Sequence, residues 1–210
     1  LKHHGVTEAI LHMIKAKEKF KKRFNILSSN KKIKINHLYK KYRLPVKHLF
    51  RKKFSFPLLF SFNFKTYKDD LFIIHSVFTL QNYILSKFLK FNDISYIVVP
   101  HGGYIDKNIR KNLFTYILKK IWIFFIESRI LKNSKQIIAL TAPEKKDILK
   151  NFDIPAKQIK IIEYPILYKN YHKVKNKKRI ITSVSRADIF HKGLDISLKA
   201  FDLSNLKNFE

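Results

Sequence analysis

The chain has no cysteine, little glycine and little acid. Zero cysteines in 210 residues exclude a disulfide scaffold, a Cys-ligated zinc site and a thiol nucleophile together. A reducing, cytosolic setting fits that absence. Glycine occurs four times, and no GxxxxGK[ST] or GxGxxG phosphate loop can be written; HExxH and GxSxG are absent as well. Long hydrophobic runs are also missing. The longest stretch free of charge, residues 71–86, contains His75, Ser76, Thr79, Gln81 and Asn82. A spanning helix needs about 20 apolar residues, so none is expected. No secretory signal is visible after Lys2, where an unbroken apolar stretch would have to follow the first charges.

Acidic residues number 15 against 44 Lys+Arg, a formal charge of +29. Such a polycation could be disordered, but 46% hydrophobic residues, including 19 Phe, supply the apolar mass for a core. Arginine is scarce at 7 against 37 Lys. A sequence-reading nucleic-acid binder would show Arg forks and a recognisable module. Neither is present, and the reading disfavours nucleic acid. Heavy use of Lys, Ile, Asn and Phe is also what an AT-rich genome writes through its codons. Residues 1–53 hold 17 Lys+Arg with only Glu8 and Glu18. This basic quarter suits an anionic membrane surface, where each Lys contributes about 1 kcal/mol.

The periodicity turns regular from Asp70. Nearly all-apolar strands are expected at 71–75, 95–100, 135–141 and 160–165, with helices at 77–91, 108–131 (one long or two) and 142–151. Apolar strands alternating with helices predict a doubly wound α/β domain, a parallel sheet covered on both faces. Before it, 7–23 reads as a helix, with short strands at 24–29 and 46–50, while 51–68 is ambiguous around Pro57. Residues 167–178 carry five lysines without a period and read as a linker. A strand at 179–186 and a helix from 194 to 201 begin a second α/β unit. Thirty residues cannot bury a core, so a chain truncated at both ends is expected. The expected domains are 1–166, then the linker, then 179–210. The run Ile121-Trp122-Ile123-Phe124-Phe125-Ile126 is either a buried helix face or a membrane-surface contact.

In open α/β sheets ligands bind beyond the carboxyl ends of the strands. Four candidates fall there. Gly5, in His3-His4-Gly5-Val6-Thr7, opens a helix whose free N–H groups favour an anion; a plain helix-opening turn is the alternative. Pro100-His101-Gly102-Gly103 places an imidazole beside a glycine pair. Glycines leave room for a ligand, and His101 can donate to a developing oxyanion; the alternative is a tight turn with an exposed His. Glu144, in Thr141-Ala142-Pro143-Glu144, can serve a cleft or simply complement a helix dipole. Arg186 and Lys192 could converge on a diphosphate, as a fork and a point charge. His75, at a strand end, reads as a structural histidine.

In this order and spacing the four sites resemble the GT-B-fold glycosyltransferases of family 4. The match runs through His4-Gly5-Val6-Thr7, residues 71–76, Pro100-His101-Gly102, residues 137–144 and residues 159–165. Most specific is Ser185-Arg186 followed by His191-Lys192-Gly193-Leu194-Asp195 and Ala200-Phe201. The resemblance implies a Rossmann-like N-terminal domain on the acceptor side and the start of a nucleotide-sugar-binding domain. It implies transfer of a sugar, with retention, from a nucleotide-diphosphate-sugar donor to a glycan or lipid-linked acceptor in bacterial surface-polysaccharide synthesis. His101 would be catalytic beside the transferred sugar. Arg186 and Lys192 would neutralise the departing diphosphate without a metal, and Gly5, Gly102 and Glu144 would line the cleft. No cofactor is implied, the nucleotide sugar being a co-substrate. The setting would be cytoplasmic, peripheral on the inner membrane face. The family's glutamate pair, eight positions apart, is not found, and its place is expected beyond Glu210; the chain alone should then be inactive. Two other readings stay open: a non-enzymatic basic nucleic-acid-binding protein, and a degenerate sugar-nucleotide-binding homologue.

Overall fold

A computed structural model describes residues 10, 13, 25–28, 40–43, 46–48, 55–57, 67–110, 112–164 and 193–204. The chain divides into two compact units, Leu1–Leu167 and Tyr168–Glu210. The first holds two short strand pairs. β1 (Asn25–Ser28) runs parallel to β2 (Lys40–Arg43), and β3 (Val46–His48) runs antiparallel to β4 (Ser55–Pro57). The expected strands at 24–29 and 46–50 are present in shortened form. β2 is an addition to the expected elements: Lys-Lys-Tyr-Arg has no strand periodicity, and it exists because it pairs with β1. β4 resolves the ambiguity around Pro57. Of the expected helix at 7–23, Ile10 and Met13 are helical; the rest lies outside the described residues.

The main sheet has four parallel strands in sequential order: β5 (Phe72–His75), β6 (Tyr96–Val99), β7 (Gln136–Ala139) and β8 (Ile159–Ile161). The first three coincide with expected strands; β8 shares only Lys160 and Ile161 with the strand expected at 160–165, and 162–164 are not in a strand. The connections hold α1 (Leu80–Phe91), α2 (Asp106–Ile109), α3 (Leu113–Trp122), a π-helical turn (Ile123–Glu127), α4 (Ser128–Lys132) and α5 (Ala142–Asn151). This is the α/β, Rossmann-like architecture read from the sequence. Every residue of β6 is buried, as a strand covered on both faces must be. Along β7 only Ile137 and Ala139 are buried.

Boundaries obey capping chemistry. The helix expected from 77 starts at Leu80 because Ser76 and Phe78 have φ of 71° and 57°, which no helix accommodates. The Thr79 hydroxyl then accepts from Asn82 N–H at 3.3 Å as N-cap. Asn112 caps α3 through Thr115 N–H (2.8 Å), and Thr141 caps α5 through Glu144 N–H (3.2 Å). The core centres on Ile74, Leu89, Val98, Leu131, Ile137 and Ile148. Tyr96 reaches across it to donate to the Ile130 carbonyl at 2.7 Å, and burial pushes its hydroxyl up to about 12.

The segment from Leu113 to Lys132 is helical throughout, with the π turn inside it. A π turn holds one extra residue and rotates the helix beyond it. Here it brings Glu127 inward to 1% exposure. One carboxylate oxygen accepts from Phe78 N–H at 2.7 Å and Trp122 Nε1–H at 2.9 Å; the other accepts from the Tyr104 hydroxyl. Burial raises the Glu127 carboxyl above its usual range, and the three donors pull it back. The same winding leaves Leu113, Phe114, Ile117, Leu118, Ile121, Phe124 and Phe125 at 50–76% exposure. The apolar run at 121–126 is therefore split: Ile123 is buried at 4%, whereas Phe124 is 72% exposed.

The second unit contributes α6 (Leu194–Leu203), which starts after Gly193 at φ 60°. The expected strand at 179–186 and the linker at 167–178 lie outside the described residues.

Three donors converge on one buried carboxylate, so Glu127→Leu should lower unfolding free energy by about 2–4 kcal/mol, the cost of orphaned buried donors. Glu127→Gln keeps an acceptor for Phe78 and Trp122 but sets an amide against the Tyr104 hydroxyl, which can turn to accept; it should cost about 1 kcal/mol or less. Urea denaturation of the two variants measures the contrast.

Candidate active site

Four side chains meet beyond the carboxyl ends of the parallel strands: His75 closing β5, His101 and its glycines after β6, Glu144 after β7, and Tyr164 after β8. This is where an open α/β sheet places a ligand. Backbone geometry there is unusual. Ser76, Phe78 and His101, all non-glycine, have φ of 71°, 57° and 56°. Such conformations cost about 1–3 kcal/mol each and persist where the surroundings over-determine them. Asn82 supplies one restraint, its Nδ2 donating to the carbonyls of His75 (3.2 Å) and Ser76 (2.9 Å). Glu127 supplies another through Phe78 N–H.

His101 and Gly102 (φ 75°) are both left-handed, and Gly103 N–H closes the turn on the Pro100 carbonyl at 3.2 Å. Consecutive positive φ values are the pattern of a type I′ turn, which favours glycine. The pair of glycines thus has two distinct reasons. Gly102 meets the backbone angle. Gly103 meets a spatial limit: a Cβ there would lie 2.2 Å from Val77 Cγ2 and 3.1 Å from the Pro100 carbonyl oxygen. The loops after β5 and β6 touch at that point.

Glu144 is 1% exposed, and its carboxylate bridges two strand ends. Oε1 accepts from Gly102 N–H at 2.7 Å and Oε2 from Leu140 N–H at 2.8 Å. Its backbone N–H meanwhile bonds the Thr141 cap. Neither the dipole role nor direct lining of a cleft describes this: the group fixes the turn that carries His101. Asn108 assists, donating to the Gly102 carbonyl at 2.8 Å.

His75 Nδ1 lies 2.8 Å from His101 Nε2, and His101 Nδ1 bonds the Tyr164 hydroxyl. The His101 and Tyr164 rings are stacked with centroids 5.7 Å apart. Both imidazoles are lowered to about 4, each chiefly by burial, with the His101 charge adding to the effect on His75. Both are therefore neutral at pH 7. A neutral pair at 2.8 Å needs one donor and one acceptor, which leaves two concerted arrangements. Either Tyr164 donates to His101 and His101 to His75, or the direction is reversed throughout and the Tyr164 hydrogen is free. A second proton between the two facing nitrogens would set two donors against each other. Burial, with the Glu144 carboxylate second, pushes the Tyr164 hydroxyl up to about 12.

The structure thus brings together His101, Gly102 and Glu144 among the residues singled out from the sequence, and adds His75, Asn82 and Tyr164. His75 reads as structural in the sequence because one strand-end histidine carries no spacing signal; only the register Ile74↔Val98 and His75↔Val99 places it beside the turn after β6. Gly5, Arg186 and Lys192 lie outside the described residues. No group of three His, Asp or Glu positioned to hold a metal occurs among the described residues.

The family model for Glycosyltransferase Family 4 matches residues 16–166. The chain belongs to this family. The matched span contains the four strands of the main sheet and the cluster of His75, His101, Glu144 and Tyr164. No curated protein matches the chain. As a member of this family it has a glycosyltransferase-like function, with sugar donor and acceptor as the general substrate classes. Among the described residues no helix is long and apolar enough to cross a membrane.

Two outcomes are expected. Gly103→Ala should cost about 1–3 kcal/mol through overpacking, read from urea midpoints, and Val77→Ala in the same chain should recover much of it. The histidines set a pH dependence. Their folded values are depressed from 6.5 to about 4, so the unfolded chain takes up protons first as pH falls. Their contribution is fully present above pH 6.5 and is lost toward pH 4. Urea midpoints across that window should fall less steeply for His75→Phe than for the unsubstituted chain; equal slopes would remove the assignment.

Proposed function

We propose that the chain is the acceptor-side half, with the start of the donor-side half, of a GT-B glycosyltransferase. It moves a sugar from a nucleotide-diphosphate donor to a glycan or lipid-linked acceptor, with retention, in surface-polysaccharide synthesis. The observation that carries this reading is the family match across 16–166, together with a carboxylate that fixes, through Gly102 N–H, the turn carrying an imidazole at the carboxyl end of the sheet. The setting is the cytoplasm, at the inner face of the membrane, and no metal is required.

Within this reading His101 is the catalytic imidazole and His75 sets its tautomer. His75 is the embedded partner, and Tyr164 is the exchangeable one, being 36% exposed. A hydroxyl of the bound sugar takes the place of the Tyr164 oxygen at His101 Nδ1. His101 then donates there, with His75 Nδ1–H donating to His101 Nε2. Glu144 is a positioning residue that acts through Gly102, in place of the direct substrate contact suggested by its sequence position. Gly5 and Gly102 lie against substrate. Arg186 and Lys192 neutralise the diphosphate, which takes the electron pair of the breaking bond to the anomeric carbon and accumulates charge as it leaves.

Sugar transfer from a radiolabelled nucleotide-diphosphate sugar, by the protein that carries this chain, tests the assignment. Arg186→Ala and Lys192→Ala should each lower kcat about 100-fold or more. His101→Ala should do likewise, whereas Tyr164→Phe should keep most of the activity. Undiminished turnover in the Arg186 and Lys192 variants would overturn the diphosphate role; a collapse in Tyr164→Phe would overturn the exchange.

A further inference from the structure

The helix Leu113–Trp122 is packed the wrong way round for a water-soluble surface. An amphipathic helix buries its apolar stripe and shows its charges to water. Here Leu113, Phe114, Ile117, Ile121, Phe124 and Phe125 recur at helical spacing on the outside, each at least half exposed. The lysines between them turn inward. Lys119 Nζ donates to the Asn108 carbonyl at 2.5 Å, and Lys120 Nζ to Asn151 Oδ1 at 2.8 Å. The sheet-facing side is further locked by Ile123, Ile130 and Leu131, all buried, and by Trp122 on Glu127. The outward stripe is therefore fixed in place by the fold, and a continuous apolar patch of this kind marks an interaction surface.

Charge identifies the occupant. Lys107 and Arg110 stand exposed at the start of the stripe, Arg110 ion-paired with Asp106 at 3.6 Å, and residues 107–126 contain no acid. Arg129 lies one turn beyond Phe125, at the far end of the stripe. A second copy of the chain would bring +29 against +29, with no acid on this segment to pair across the contact. The stripe itself offers Leu, Ile and Phe, which carry no hydrogen-bonding groups for a protein partner to read. An apolar stripe with exposed cations at both ends matches an interface of acyl chains beneath anionic headgroups, where burial needs no shape complementarity and the terminal charges are attracted.

We propose that the outward face of the helix from Leu113 through Phe125 inserts into the surface of an anionic lipid bilayer, seating the domain on it without crossing. The basic residues 1–53 can add attraction, but the inserted contact is this face. The inference goes beyond sugar transfer and does not rest on it, because bilayer binding is scored without donor or acceptor.

The test is sedimentation of the full 210-residue chain with phosphatidylcholine vesicles and with phosphatidylcholine vesicles containing phosphatidylglycerol, at low and high salt. The chain should bind the anionic vesicles more tightly, and salt should weaken the difference. The double substitution Phe124→Ser with Phe125→Ser should lower the partition coefficient about tenfold or more, while the urea transition stays cooperative and its midpoint falls only modestly, both side chains being more than half exposed. A second pair, Ile117→Ser with Ile121→Ser, should behave alike. Vesicle binding unaffected by either pair would overturn the proposal and assign the contact to the basic residues elsewhere. Absence of vesicle binding would overturn it as well. In that case light scattering would distinguish self-association, seen as a dimer that the same substitutions dissolve, from a monomer whose face an acidic protein covers.

Discussion

The approach of two loops at Gly103 organises this site. The turn after β6 comes so near the segment after β5 that a methyl group at Gly103 would lie 2.2 Å from the Val77 side chain. The same two segments bring His75 within 2.8 Å of His101 and pass through left-handed conformations at Ser76, Phe78 and His101. Strain of that kind is retained only where stronger bonds hold it. The two buried glutamates, Glu127 and Glu144, supply those bonds from opposite sides. Glu127 holds the β5 loop by Phe78 N–H, and Glu144 holds the β6 turn by Gly102 N–H.

The two carboxylates reach their places by different means, and this decides how much of each is legible in the sequence. Glu144 stands three residues after the Thr141 cap, a spacing that marks a helix N-terminus. Its place in a strand–helix turn is legible. Its partner in Gly102 is not, because that bond spans 42 residues and depends on β6 and β7 being neighbours. Glu127 gives no signal at all. It comes after a run of Ile and Phe that reads as a plain apolar helix, and only the extra residue of the π turn rotates it inward. The strands β5, β6 and β7 are readable because apolar runs of four or five residues between turn signals have few other uses, whereas β8 is Ile159-Lys160-Ile161, broken by a lysine, and its bounds are less legible. β2 is unreadable for the opposite reason: Lys-Lys-Tyr-Arg has no apolar run or alternation, and pairing with β1 is what defines it.

His75 shows the same limit at the level of chemistry. A lone histidine at a strand end is structural in most proteins, and no spacing distinguishes this one. Its role comes from register: pairing of Ile74 with Val98 and His75 with Val99 lays one imidazole beside the turn that carries the other. Two imidazoles so placed differ from one. Burial keeps both neutral, and neutrality makes the bond between them directional. The direction at His75 then fixes which nitrogen of His101 carries hydrogen. A histidine that must donate to a ligand oxygen at one nitrogen is best prepared by a partner that donates to the other.

The charge of the chain has two separable parts. Much of it comes from a Lys-rich composition and carries no positional information. Around Leu113–Trp122, however, position matters. Lys119 and Lys120 are satisfied by an Asn108 carbonyl and the Asn151 side chain, and their inward turn is what leaves Ile117, Ile121 and Phe125 facing out. If water were the intended neighbour, rotating this helix by half a turn would bury the apolar stripe and release the lysines, a change favoured by the hydrophobic effect. The observed rotation is instead held by Trp122 and Glu127 at one end and by Asn112 capping at the other. Glu127 thus links both surfaces of the domain. The carboxylate that steadies the loop beside His75 also fixes the helix that presents the apolar face, so the site and the face are set by one buried group.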